Sequence, residues 1–165
     1  MTLRVGAVEP TMKVLTETFG YESAGEEPDR LRFRSPSGGP AAVVDLTRQS
    51  DPLPQGRIGS GTVHHVAFRA RDEEQQLEWR QAVAEAGLNV TAVLDRQYFR
   101  SIYFREPGGV LFEIATDGPG FMADEDFGEL GSRLKLPPWL EPQREHIERR
   151  LPPVSLAKRS AAKRV

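Results

Sequence analysis

The chain has 165 residues, a net charge of −2 with histidines neutral, and no cysteine. That balance gives no global basic field for nucleic acid, and it excludes disulfides, thiolate metal sites and cysteine nucleophiles. No apolar run approaches the ~20 residues of a membrane span and the N-terminus lacks signal-peptide organisation, so a cytoplasmic protein is expected. Any metal must be held by imidazole and carboxylate, which suits iron, manganese or zinc.

In chain order, Thr2 to Val5 reads as a short strand. Glu9 to Phe19 reads as a helix, with Pro10 in its first turn, Met12, Leu15 and Phe19 on one face, and Gly20 as its stop. Tyr21 to Ser23 and Arg30 to Arg34 alternate as half-buried strands do. Ser35 to Pro40 is a turn, Ala41 to Leu46 a strand, and Asp51 to Gly61 a Pro- and Gly-rich linker. The order then repeats. Thr62 to Arg69 reads as a strand, and Asp72 to Ala86 as a helix stopped by Gly87. Val90 to Leu94 and Phe99 to Phe104 are strands, Glu106 to Gly109 is a turn, and Val110 to Ala115 closes the unit.

The expected fold is therefore α+β: two tandem βαβββ modules repeating at roughly 65 residues. The first spans 1–50, a linker 51–61, and the second 62–117. Aligned on their first strands, Val66 to Ala70 lies over Met1 to Val5. Aligned on their last strands, Glu113 lies over Asp45. The tail, 118–165, stands outside the repeat. Leu134 to Leu140 reads as an extended apolar segment and Glu141 to Arg150 as a short helix. The basic end from Ser155 has the composition of a disordered segment.

Side chains on a strand alternate between faces. His65, Ala67 and Arg69 share one face, and Leu111, Glu113 and Ala115 another. Tyr103 lies opposite Ile102 and Phe104. If the more apolar faces pack on the helix, His65, Glu113 and Tyr103 point to the concave side of one sheet. A glutamate amid apolar strand residues is costly unless paired, and a metal would pair it. The residues alone leave a second reading open: structural histidines, with Glu113 in a salt bridge to Arg96, Arg100 or Arg105. A 2-His-1-carboxylate triad needs three donors, and spacing supplies one histidine and one carboxylate. Asp45 and His146 are the remote candidates for a third.

The segments Gly61-Thr-Val-His-His-Val-Ala-Phe68, Asp95-Arg-Gln-Tyr-Phe-Arg-Ser-Ile-Tyr-Phe-Arg-Glu-Pro-Gly-Gly109, Leu111-Phe-Glu-Ile-Ala-Thr-Asp117 and Leu134-Lys-Leu-Pro-Pro-Trp-Leu140 carry a resemblance. The chain resembles the vicinal oxygen chelate (glyoxalase/bleomycin resistance/dioxygenase) superfamily, and within it the ring-cleaving dioxygenases of hydroquinones. The resemblance implies His65 and Glu113 as Fe(II) ligands. It places His64, Arg96 and Tyr103 beside a small aromatic substrate that reacts with O2. Tyr103 and His64 are then proton donors or hydrogen-bond partners, and Arg96 an oxyanion stabiliser. It also implies four modules in full-length members, with a third histidine ligand in the first. This chain resembles the last two, so a homodimer or a complementing N-terminal half is expected to complete the site. Two other functions fit the same fold: a non-catalytic binder of small aromatic ligands, and glyoxalase- or epimerase-type metal chemistry.

Overall fold

The computed structural model describes residues 1–39, 42–47 and 59–153. Most of the expected linker, the whole of the basic end from Ser155, and Pro40 and Ala41 lie outside the described residues.

Each half of the chain builds one four-stranded sheet with the same connectivity. The first contains β1 (Thr2–Arg4), β2 (Glu22–Glu27), β3 (Arg30–Arg34) and β4 (Val43–Thr47), in the order β1-β4-β3-β2. The second contains β5 (Val66–Arg69), β6 (Leu94–Asp95), β7 (Arg100–Arg105) and β8 (Leu111–Ala115), in the order β5-β8-β7-β6. In both, the first strand runs parallel to the last, and the remaining pairings are antiparallel. The register makes the two halves equivalent residue by residue. Asp45 pairs with Thr2 and Arg32, and Glu113 pairs with Ala67 and Tyr103.

The helices follow their sequence signals in one module and depart from them in the other. In the second, α2 (Glu73–Glu85) starts where the Asp72 carboxylate accepts a 2.8 Å bond from the Gln75 N–H. This satisfies one of the donors that a helix start leaves free. It ends before Gly87, whose φ of 77° is the left-handed conformation of a helix stop. In the first, α1 (Val8–Lys13) passes into a π-helical segment, Val14–Thr18, in place of the regular helix expected to Phe19. The wider turn gives Val14 and Leu15 buried positions and leaves Phe19 at its C-terminal end, also buried.

Phe19 joins the two modules into one core. Its ring lies 4.5 Å from Phe68 and 5.0 Å from Trp79, centroid to centroid, and 6.3 Å from both Phe104 and Phe112. Leu31, Phe33, Val44 and Leu46 from the first sheet belong to the same cluster as Phe68, Ile102, Phe104, Phe112 and Ile114 from the second. The inward faces of both sheets thus share one core.

A second tie sits at the turn after β7. Glu106 is 1 % exposed, and its carboxylate accepts from Thr11 Oγ1 of α1 at 2.5 Å and from the N–H groups of Gly108 and Val110 at 2.7 Å. Gly6 N–H donates to the Gly108 carbonyl at 3.0 Å.

Residues Met1–Gly118 form one compact unit, and a second begins at Pro119. The second contains short 3-10 turns at Phe121–Ala123 and Glu141–Gln143, and α3 (Arg144–Arg150). Arg144 pairs with Glu141 at 2.6 Å and with Glu148 at 3.0 Å. Among the described residues no helix is long and apolar enough to cross a membrane.

Candidate functional site

The outward face of the second sheet carries a continuous polar cluster. It begins on β8, where Glu113 is flanked by buried Phe112 and Ile114 yet points the other way, and is itself only 3 % exposed. Directly across the antiparallel pairing, the Tyr103 hydroxyl donates to Glu113 Oε1 at 2.6 Å. On the other side His65 Nε2 lies 2.7 Å from Glu113 Oε2. The expected strand from Thr62 begins only at Val66, so both histidines precede β5. The two-residue alternation still carries His65 to the side of Ala67, the residue paired with Glu113.

The cluster extends at both ends. His64 Nδ1 and His65 Nδ1 are 2.9 Å apart. A neutral imidazole has one N–H, so the tautomers of the two rings set which Nδ1 donates in this contact. At the other end Arg96 Nη2 donates to the Tyr103 hydroxyl at 3.2 Å, and its guanidinium lies 5.3 Å from the centre of the Tyr103 ring. All five residues singled out from the sequence are therefore linked in the order His64, His65, Glu113, Tyr103, Arg96. The alternative salt bridges to Glu113 are not formed. Arg100 reaches Glu73 at 3.2 Å, Arg105 donates to the Gly109 carbonyl at 2.7 Å, and Arg96 engages Tyr103.

Arg96 is aimed by a tight turn. Arg96 N–H donates to the Phe99 carbonyl at 2.9 Å, and Gln97 N–H donates to Asp95 Oδ1 at 2.7 Å. Gln97 takes a φ of 69°, the only positive value of a non-glycine residue among those described. The expected strand Val90 to Leu94 is reduced to one bridge, Val90 to Phe104, and the two residues of β6. The gap is filled by Thr91, whose Oγ1 accepts from Tyr103 N–H and whose N–H donates to the Tyr103 carbonyl, both at 3.0 Å. Sequence reasoning missed Thr91 and Gln97, since no periodicity marks a residue that works through a turn. It also missed Ser101. This residue shares the Tyr103 side of β7, is fully buried, and has a hydroxyl without a partner.

The equivalent face of the first module is chemically different. Asp45 stands in the register of Glu113, but Arg32, in the register of Tyr103, grips it with two bonds of 2.8 and 2.9 Å. That guanidinium holds the Asp45 carboxyl below the ordinary carboxylate range. Asp45 is a closed ion pair rather than a spare donor, and His146 lies on α3, in the second unit.

In kind, His65 and Glu113 fit a divalent transition metal, offering imidazole nitrogen and carboxylate oxygen on one face. In number they fall short: among the described residues no group of three or more His, Asp or Glu could hold an ion. A groove of about 690 Å³ lies at the junction of the modules, lined by Phe19, Tyr21, Phe68 and Trp79. None of the five cluster residues lines it; its nearest element in register is Ala67, the strand partner of Glu113.

Two such modules, with parallel outer strands and a carboxylate on the last strand of each, define the class. The profile of the Glyoxalase/Bleomycin resistance protein/Dioxygenase superfamily matches residues 1–114. The chain belongs to that superfamily. It is 50 % identical over 144 residues to "Putative ring-cleaving dioxygenase MhqE" of Bacillus subtilis, a match covering 87 % of this chain and 46 % of that protein. It is 38 % identical over 139 residues to a chlorohydroquinone/hydroquinone 1,2-dioxygenase of Sphingobium indicum, covering 82 % of this chain and 42 % of the relative. A crystal structure of a "putative dioxygenase" from Bacillus subtilis superposes with a TM-score of 0.86 at 45 % identity, over 93 % of this chain and 49 % of the other. The chain spans about half the length of the curated relatives it matches.

Proposed function

We propose that this chain carries the substrate-binding and part of the metal-binding apparatus of a ring-cleaving dioxygenase acting on hydroquinone-type rings. The observation that carries the reading is the Arg96–Tyr103–Glu113–His65 cluster on a sheet face of the second module. The names of the relatives agree with it. His65 and Glu113 would hold Fe(II), with manganese or zinc compatible with the same donors. The third donor comes from outside the described residues, supplied by a second copy or by a complementing pair of modules. When bound, the metal supplies a meeting point for the electron-rich ring and O2.

The roles of the protein groups follow from their bonds. Tyr103 both donates to Glu113 and accepts from Arg96. It keeps the carboxylate oriented and can pass a proton to or from a ring oxygen beside it. Arg96 presents its guanidinium donors beside Tyr103 and stabilises an oxyanion formed on the substrate. His64 is exposed beside His65 and positions that ring through Nδ1.

Metal analysis after anaerobic loading with Fe(II) tests the donor assignment. His65→Ala and Glu113→Ala should each abolish iron retention, and unchanged iron in either variant sinks the assignment. Oxygen uptake with hydroquinone tests the reaction. Consumption of O2 with loss of the ring absorbance is expected once the third donor is present. A fully loaded protein that takes up no O2 with hydroquinone or chlorohydroquinone returns the chain to the class of ligand binders.

A further inference from the structure

On the side of β7 away from β8, the antiparallel register slips by one residue opposite Tyr103. Val90 pairs with Phe104, and Leu94 pairs with Ser101. Between those pairings one side advances four residues and the other only three, so the segment 91–93 carries one extra residue, a β-bulge. The first module slips at the same register, where Ser23 pairs with Phe33 but Gly25 with Arg32. A bulge re-aims the side chain of the strand it faces, and here it faces Arg32 in one module and Tyr103 in the other.

What fills the slip differs between the modules. The residue after Val90 is Thr91, and its counterpart after Ser23 is Ala24, which has no hydroxyl. Thr91 takes both backbone groups of Tyr103: its Oγ1 accepts from the Tyr103 N–H, and its own N–H donates to the Tyr103 carbonyl, both at 3.0 Å. The bulge forms with alanine in the first module, so the fold alone does not require a hydroxyl there. The hydroxyl stands in the module that carries a tyrosine–glutamate couple, and alanine in the one that carries an arginine–aspartate pair.

Thr91 is itself fastened. Its carbonyl accepts from Arg80 Nε of α2 at 2.9 Å. The same helix grips the sheet through Gln76, whose side-chain amide donates to the Arg100 and Ile114 carbonyls at 2.9 Å. One line of hydrogen bonds thus runs from Arg80 through Thr91 to the backbone of Tyr103. A tyrosine has only two χ angles, so a displaced backbone carries the hydroxyl with it. The 2.6 Å bond from that hydroxyl to Glu113 leaves little room for such a displacement.

We propose that Thr91 is a positioning residue for Tyr103, holding its phenol on Glu113 from the bulge, with Arg80 fastening Thr91 to α2. The inference rests on the ring-cleaving reading only for the proton that Tyr103 then handles. Thr91 is exposed, so Thr91→Val removes the acceptor without opening the core. The Tyr103 N–H then loses its partner, and the strand is free to move at that residue.

The test reads Tyr103 directly in the full chain. Carbon-13 at tyrosine Cζ gives three signals, since the chain has three tyrosines, and Tyr103→Phe assigns the one of interest. Glu113→Gln, which weakens the phenol's hydrogen bond, supplies the reference shift. Thr91→Val should move the Tyr103 signal in the direction of that reference and leave the Tyr21 signal in place, and Thr91→Ser should restore it. Arg80→Gln should move the same signal and add nothing in a Thr91→Val background. An unmoved Tyr103 signal in Thr91→Val, no restoration by Thr91→Ser, or additive effects of the two sites each overturns the proposal. If Thr91→Val does not fold, an unmoved signal in Arg80→Gln overturns it. In an iron-loaded preparation that turns over, Thr91→Val should also lower kcat at least about tenfold with KM unchanged. A moved signal without oxygen uptake in any variant counts against the reaction and upholds the positioning, whereas an unmoved signal counts against the positioning alone.

Discussion

Glu113 is the residue on which the candidate site turns. Its carboxylate is buried, and the Tyr103 hydroxyl and the His65 ring are its partners. Removing a hydrogen-bond donor from a buried acceptor costs about 1–3 kcal/mol. Tyr103→Phe should therefore lower stability by that amount in urea unfolding, and it also takes away the hydroxyl to which Arg96 donates. Asp45 makes the complementary case. Because Arg32 depresses its pKa, the contribution of Asp45 is fully present above the ordinary carboxylate range and disappears as pH falls through the lowered value. Asp45→Asn should be less stable than the wild type at neutral pH, and the two should converge in acid; parallel pH–stability curves would contradict this. Glu113, His65 and Tyr103 are legible in the sequence because a polar residue in an alternating strand declares its face. Arg96 is placed by resemblance rather than by pattern, since its aim depends on the left-handed conformation of Gln97.

At the scale of elements, helix signals and strand alternation are legible where the local chemistry is strong. Asp72 and Gly87 bracket α2 because a capping carboxylate and a left-handed glycine act within one turn. The π-helical segment is not legible, because Met12, Leu15 and Phe19 suit a regular helix and only the tertiary aromatic cluster selects the wider turn. The start of β5 falls later than its sequence signals for a related reason: Thr62 and Val63 favour strand, but β8 provides hydrogen-bonding register only from Val66. The Glu106-Pro-Gly-Gly segment declares itself as a turn, yet its attachment to Thr11 links residues far apart in sequence. A side chain at Gly108 would press on Thr11 Oγ1 and come within 2.7 Å of Val5 Cβ. Gly108→Ala should cost about 1–3 kcal/mol, seen as a lowered denaturant midpoint. A midpoint equal to the wild type would show that α1 yields easily.

For the molecule as a whole, the duplication is readable from the order of elements, while the way the halves share a core is not. Phe19 belongs to the first module in sequence and to the second in its packing. Phe19→Ala should cost about 3–5 kcal/mol and lower the unfolding of both modules together. In a Trp139→Phe background, which leaves Trp79 as the sole tryptophan, fluorescence and far-ultraviolet dichroism should then give coincident transitions, whereas separate ones would mean that the modules fold independently. The matched register of Arg32 with Asp45 and of Tyr103 with Glu113 has a practical consequence. It makes the first module a ready recipient for a transplant. Arg32→Tyr together with Asp45→Glu would write the second module's tyrosine–glutamate couple onto its twin in place of an ion pair, giving each molecule two copies of that couple to compare in one fold.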